Sequence, residues 1–281
     1  MTEAKFFWAT SPQEACDLLA EHGNARLLAG GTDLMVAVNE KEFTPEVLIH
    51  IGDCGLNYLK TEGDNLLIGA ATPFTEIMGS DLVKGKAPLL GEAVSHVGSL
   101  AIRNVGTIGG NLGTASPAAD SAPALLALGA SLKLVSKDGD RVVAVKDFFT
   151  GPGETVLKPN ELIQEVIVPV QEKGGAWAYR KLGKRRAQSL SVVSAAIYCP
   201  KDGGQCRGVR IALGAVAPTP ILATEASAQL EGKKLDDKVI EEAAKAAAEA
   251  TKPIDDVRGT AWYRRRATQA LVKQLLGQIS A

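Results

Sequence analysis

The chain has 281 residues, a net charge of −1, 29 glycines, 4 cysteines and 3 histidines. That length suits about two domains with a sizeable core, and the dispersed His22, His50 and His96 disfavour both a multi-histidine metal site and a Ser-His-Asp relay. Cys16, Cys54, Cys199 and Cys206 form no C-x-x-C, which disfavours a zinc ribbon, a thioredoxin-type pair and a self-contained iron–sulfur motif.

The start, Met1-Thr2-Glu3-Ala4-Lys5, is followed by no apolar signal region. No apolar run reaches the roughly 18 residues of a membrane span. A cytoplasmic protein with reduced thiols is expected. Phe6 to Trp8 reads as a strand. Ser11-Pro12-Gln13-Glu14 reads as a helix start, with Ser11 as cap, Pro12 in the first turn and Glu14 closing a capping box. Leu18 and Leu19 supply its apolar face and Gly23 its exit. A strand at Arg26 to Leu28 runs into Ala29-Gly30-Gly31-Thr32-Asp33, then an apolar stretch from Leu34 to Val38 with no evident helix. Strand, helix, strand and glycine turn is an α/β signature.

Val47 to Ile51 and Leu66 to Ala70 are further strands. Short helices are predicted from Thr72-Pro73 to Met78 and from Pro88 to Val97. Gly98 to Ala115 has small residues and no helical period, so it reads as loop. A helix is predicted from Ser116-Pro117 to Leu128, ending at Gly129. Ser131 to Val135 and Arg141 to Val145 flank a hairpin turn at Lys137-Asp138-Gly139-Asp140. Leu162 to Val168 is a strand ended by Pro169.

The character then changes. Residues 1–170 hold 12 Lys/Arg against 21 Asp/Glu, a net −9, whereas residues 171–281 hold 19 against 11, a net +8. Nineteen of the glycines lie in residues 1–153. From about Gly174, strands are predicted at Ala176 to Leu182, Ser191 to Cys199 and Arg207 to Val216. The last two flank a turn at Pro200 to Gly204. Helices follow at about Leu222 to Leu230, Asp236 to Ala250 and Gly259 to Ile279. Three strands then three helices is an α+β arrangement.

Two segments carry chemistry. In Leu27-Leu28-Ala29-Gly30-Gly31-Thr32-Asp33-Leu34, a glycine pair after a strand lets the backbone turn sharply. Successive N–H groups can then converge on a phosphate oxygen. The alternative is a plain tight turn. The pattern is not G-x-G-x-x-G, so a Rossmann site is poorly supported. In Ile102-Arg103-Asn104-Val105-Gly106-Thr107-Ile108-Gly109-Gly110-Asn111, three glycines in five residues argue against a helix. Thr107 and Asn111 stand there beside bare N–H groups. Asp120, one helical turn past Pro117, is either a dipole partner or a ligand for sugar or ribityl hydroxyls. Together the two loops suit one extended, phosphate-bearing ligand, against two unrelated turns.

The pair of segments, AGGTDL (Ala29 to Leu34) and IRNVGTIGGNLGTASPAAD (Ile102 to Asp120), resembles the FAD-binding medium subunit of the molybdenum hydroxylases, the xanthine dehydrogenase and carbon monoxide dehydrogenase group. The resemblance spans essentially the whole chain and includes the late Trp262-Tyr263-Arg264-Arg265 segment. It implies an α+β fold: a two-part FAD-binding domain of the PCMH/VAO type over residues 1–172 (subdomains about 1–55 and 56–172), then a three-stranded antiparallel sheet with a helical bundle over 173–281. It implies that Leu27, Leu28, Ala29, Gly30, Gly31, Thr32, Asp33 and Leu34 wrap the FAD pyrophosphate. Thr107, Ile108, Gly109, Gly110 and Asn111 would form the second wall, with Asp120 on the ribityl or ribose part. Ile163 would lie against the isoalloxazine and Lys181 near its pyrimidine end, where a cation favours anionic reduced flavin.

The same resemblance implies molybdopterin on a large partner subunit and 2Fe–2S clusters on a small one, as a dimer of heterotrimers. The chain itself would hold no metal, and NAD⁺ or another molecule would accept the electrons. A xanthine-dehydrogenase-like complex is preferred. Where animal xanthine dehydrogenases place a stacking aromatic this chain has Val97, leaving Tyr198 or Trp177 as candidates. The stretch from Glu40 to Lys60 has only Cys54, so the extra 4Fe–4S cluster of one branch is not expected. A free-standing FAD oxidoreductase of the same flavin-binding fold is the alternative, and a scaffold with a decayed FAD site a third. The basic run Arg180, Lys181, Lys184, Arg185, Arg186 lacks interleaved aromatics, so partner contact or an anionic acceptor is preferred to nucleic acid. Arg264-Arg265-Arg266 is read with the same caution, and His96 as structural.

Overall fold

The structure, a computed structural model, describes residues 4–172, 174–185 and 188–280; Met1 to Glu3 and Arg186, which figure in the readings above, lie outside the described residues. The first unit comprises β1 (Lys5–Trp8), α1 (Pro12–Glu21), β2 (Ala25–Leu28), α2 (Leu34–Asn39) and β3 (Val47–His50), with a parallel sheet in the order β1-β3-β2. Ser11 caps α1 as predicted, accepting from the Glu14 N–H at 3.1 Å. The Glu14 carboxylate reaches back one residue further, to the Thr10 N–H at 2.8 Å. Ala15, Cys16 and Leu19 on α1 pack with Ile49 and Ile51 into a small core.

The second unit comprises β4 (Leu59–Glu62), β5 (Asn65–Gly69), α3 (Phe74–Gly79), α4 (Asp81–Lys86), α5 (Pro88–Ser95), α6 (Leu100–Val105), α7 (Ile108–Thr114), α8 (Ser121–Leu128), β6 (Ser131–Ser136), β7 (Gly139–Ala144), β8 (Phe149–Gly151), β9 (Glu154–Thr155) and β10 (Leu162–Pro169). Its antiparallel sheet runs β4-β5-β10-β6-β7, with the last strand in sequence at its centre. Every residue of α8 is buried, which explains why all but Ser121 in its SAPALLAL sequence are apolar.

The third unit comprises β11 (Ala176–Gly183), β12 (Ser191–Cys199), β13 (Lys201–Asp202), β14 (Gln205–Cys206), β15 (Arg210–Gly214), β16 (Ile221–Leu222), α9 (Thr224–Leu230), α10 (Asp237–Glu249) and α11 (Ala261–Ser280). β12 is buried along its whole length because both faces are covered. Ala196 and Tyr198 join the core of the second unit, while Ala195, Ile197 and Cys199 join a separate core with Ala243 of α10 and Leu275 of α11. The third unit is thereby welded to the second through a shared strand.

Four expectations are corrected. The C-terminal sheet has four strands, because Leu222 and Ile221 pair with Ala212 and Leu213. The apolar stretch after Asp33, where no helix was evident, is helix α2. Gly98 to Ala115 is largely helical: Ser99 accepts from the Ile102 N–H at 3.3 Å and Thr107 from the Gly110 N–H at 3.1 Å, starting α6 and α7. Tertiary fit overrides glycine's poor propensity there, since a β-carbon on Gly109 would stand 2.6 Å from that of Ala70. Finally, α8 begins at Ser121, and Ser116 instead caps a turn through the Ala118 N–H at 3.3 Å.

Candidate functional site

Between the first and second units lies a cleft of about 1470 Å³. Typical small-ligand pockets hold roughly 300–1,000 Å³, so this one suits a larger, extended molecule. One wall is the turn joining β2 to α2. Gly31 sits at φ 68°, a left-handed conformation that favours glycine. Gly30 lies so close to α6 that a β-carbon would meet the Val105 carbonyl oxygen at 1.8 Å. The turn is thus pressed against α6 and cannot relax. Among the described residues, the N–H groups of Gly30, Gly31, Thr32 and Asp33 find no protein acceptor. Four successive donors without a protein acceptor, on residues that line the cleft, suit a phosphate-bearing ligand.

The opposite wall is built differently. The N–H groups expected to be bare are already used: Ile108 donates to Thr72, Gly109 to Ala70 and Asn111 to Thr107, at 3.2, 2.9 and 3.0 Å. Gly110 donates to the Thr107 hydroxyl. This wall therefore offers side chains and a smooth surface rather than an anion cradle. The Asn111 Oδ1 accepts from Ser121 at 2.6 Å, leaving its amide N–H groups for a ligand.

The floor holds a buried charge cluster. Lys181 Nζ donates to Asp120 Oδ2 at 2.5 Å and to the His96 carbonyl at 2.9 Å. Ser191 and Tyr179 donate to Asp120 Oδ1 at 2.6 and 3.3 Å. Burial raises the Asp120 carboxyl above its ordinary value, and Lys181, Ser191 and Tyr179 oppose that shift. Burial also pushes the Tyr179 phenol well up, reinforced by Asp120, so it stays a neutral donor. The His96 ring instead pairs with Glu92 at 3.1 Å, so only its backbone touches the cluster.

The cleft gathers most of the residues singled out from sequence. Leu27, Ala29, Gly30, Gly31, Thr32, Asp33, Leu34, Thr107, Gly109, Gly110, Asn111, Asp120, Ile163 and Lys181 all line it. Leu28 and Ile108 do not; Leu28 packs toward the Gly31 turn and Ile108 is fully buried. Val97 lines the cleft, but neither Tyr198 nor Trp177 does. Tyr198 is instead buried beneath Arg210, with its hydroxyl accepting from the Glu172 N–H, and Trp177 packs on the core. The aromatic residues at the cleft are Phe43 and Phe74. Sequence reading missed Ser191 and Tyr179; Tyr179 stands two residues from Lys181 on β11, and Ser191 joins them only through the register slip between Leu182 and Gly183.

Arg264 is not a solvated basic residue. Its guanidinium is buried and bonds the Ala215 carbonyl at 2.6 Å and Asp256 Oδ1 at 2.5 Å, fastening α11 to the residue after β15 and to the segment before α11. Arg265 and Arg266 are exposed. Among the described residues no three His, Cys, Asp or Glu side chains cluster as a metal site, and no helix is long and apolar enough to cross a membrane.

Comparison with known proteins shows the family and the fold. The family described as the FAD binding domain in molybdopterin dehydrogenase matches residues 2–171, and the CO dehydrogenase flavoprotein C-terminal domain matches residues 177–279. The chain is 34% identical to the glyceraldehyde dehydrogenase medium chain of Sulfolobus acidocaldarius, over 99% of both chains. It is 29% identical to the xanthine dehydrogenase FAD-binding subunit of Escherichia coli O157:H7, over 99% of this chain and 96% of that one. Its fold matches a chain of carbon monoxide dehydrogenase from Hydrogenophaga pseudoflava with a TM-score of 0.96 at 34% identity, covering 99% of this chain and 97% of that one.

Proposed function

The chain belongs to the FAD-binding medium subunits of the molybdenum hydroxylases, and we propose that it serves as the electron-transfer subunit between 2Fe–2S clusters on a small partner and NAD⁺ or another acceptor. Bound FAD would supply the chemistry that joins a one-electron donor to a two-electron acceptor. The observation that carries the reading is the row of four unpaired N–H groups on the Gly30–Asp33 turn. They would hold the pyrophosphate without a cationic side chain, and Thr32 would add a hydroxyl. Thr107, Gly109, Gly110 and Asn111 would close the cofactor from the other side, with Ile163 and Val97 giving it an apolar surface. Lys181 would place a positive charge at the floor. Leu28 and Ile108 would act from behind, by fixing the two walls.

The proposed assembly is a dimer of heterotrimers with a large molybdopterin subunit and a small iron–sulfur subunit, in the cytoplasm. The full-length match to a xanthine dehydrogenase subunit supports a xanthine-type complex. The relative named for glyceraldehyde is more similar and makes aldehydes the competing substrate class. Affinity purification of the tagged chain from its native host tests the proposal. It should bring down two partner chains carrying molybdenum and iron, and the purified complex should reduce NAD⁺ or a dye with xanthine. A lone active flavoprotein would favour a free-standing oxidoreductase instead.

A further inference from the structure

We propose that the loop of residues 252–260, with the first turn of α11, is the docking surface for the small iron–sulfur partner, and that Val257 is its central anchor. The inference rests on the electron-transfer reading above and names where on this chain that partner sits.

Val257 is 89% exposed, more than any other large apolar residue among the described residues, and Ile254, Trp262 and Tyr263 beside it in sequence are exposed too. The loop that presents them is stapled. The Asp256 carboxylate accepts from the Arg258 N–H at 2.8 Å, from Arg258 Nε at 3.0 Å and Nη2 at 2.6 Å, and from the buried Arg264. Asp256 and Gly259 exchange backbone hydrogen bonds at 3.2 and 3.1 Å. Asp255 accepts from the Ala261 N–H at the start of α11, and Lys184 donates to the Val257 carbonyl. Holding apolar side chains rigidly in water gains nothing for folding. It does meet the ordering cost of association in advance, and Trp and Tyr are the commonest interface anchors.

The position and charge of this surface select the occupant. A β-carbon on Gly259 would stand 3.6 Å from Val192 of β12. Leu190, two residues earlier, is exposed and lines the cleft. The surface therefore borders the cleft, where a donor has to come to reach the flavin. Its rim carries exposed Lys184, Arg185, Arg265 and Arg266 against Asp255. A 2Fe–2S cluster is held by thiolates and is anionic, so its protein suits a basic rim around an apolar centre. A symmetric pair of this chain would instead set the four basic residues against their own copies.

Photo-crosslinking in the assembled complex tests the placement. The full chain with Val257→benzoylphenylalanine, purified with its partners and irradiated, should cross-link to the small iron–sulfur chain. V257E should cut the small chain recovered with the tagged chain at least about tenfold, as loss of a central anchor does. V142E puts the same charge at an exposed position on β7 and should leave recovery within about twofold of wild type. Both variants should keep wild-type FAD content and melting temperature. Should V257E fail to fold, I254E gives the same comparison. A cross-link to the large chain, to a second copy, or to nothing in a complex that holds the small chain overturns the proposal. So does V257E recovering the small chain as well as wild type. Wild-type chain that brings down no iron–sulfur chain would overturn the electron-transfer reading and this inference with it.

Discussion

The Val105 carbonyl oxygen stands 1.8 Å from the point a β-carbon on Gly30 would occupy. Backbone therefore packs directly on backbone between the Gly30–Asp33 turn and α6. Gly30 is glycine because of this internal contact, and the open N–H groups beside it depend on the contact.

Replacing Gly30 with alanine should accordingly push α6 away from the turn. A backbone oxygen cannot yield as a side-chain tip can, so the cost should fall in the overpacking range of about 1–3 kcal/mol. FAD affinity should fall with it. Thermal unfolding and FAD titration together check this; an unchanged melting temperature with unchanged affinity would contradict it.

Gly110 should behave in the opposite way. A β-carbon there meets only the Thr107 hydroxyl, at 3.0 Å, and the residue is exposed at the cleft. Gly110→Phe should leave the melting temperature within a few degrees of wild type yet abolish FAD uptake. Full uptake would place the cofactor away from this wall.

The contrast between these glycines shows what the sequence could carry. The two motifs held twelve of the named residues that line one cleft, because glycine and hydroxyl residues clustered at short spacing mark close backbone approach; Ile163 and Lys181 came from the family resemblance. The motifs did not reveal how each wall works. The second motif looked like loop with free donors, but α7 forms because Thr107 caps it and Gly109 nests on Ala70. Ser191 and Tyr179 were invisible for a related reason: their meeting with Asp120 spans 71 and 59 residues and follows from strand register. The fourth strand of the C-terminal sheet escaped because Ile221 and Leu222 are too short to show alternation.

Acid should loosen the rim of the cleft. Arg141 grips both oxygens of Glu161 at 2.7 and 2.8 Å, holding its carboxyl below the usual range, and the Lys158 N–H adds to this. A carboxyl depressed on folding stabilises the protein above its unfolded pKa of about 4.3, and that contribution is lost as pH falls through the depressed value. Glu161→Gln should cost about 1.5–3 kcal/mol at pH 7 and flatten the stability profile below about pH 4. An identical acid profile for variant and wild type would remove Glu161 from the account.

The four thiols should be silent in the native state. All are buried, and burial pushes Cys16 and Cys54 up to about 11 and Cys199 up to about 12. The reactive thiolate is then scarce at neutral pH. A chromogenic disulfide reagent at pH 8 should label none within minutes, and all four after unfolding in guanidinium. Rapid labelling of native protein would show that these cores open readily.

The central claim is that the unpaired N–H groups of Gly30, Gly31, Thr32 and Asp33 hold the pyrophosphate of FAD. Calorimetric titration of the full chain with FAD and with riboflavin, which lacks phosphate, tests it most directly. The account predicts one FAD per chain and riboflavin at least about a hundredfold weaker, since two or more charge-assisted hydrogen bonds are lost at about 1.5–3 kcal/mol each. Equal affinity for the two flavins would contradict it.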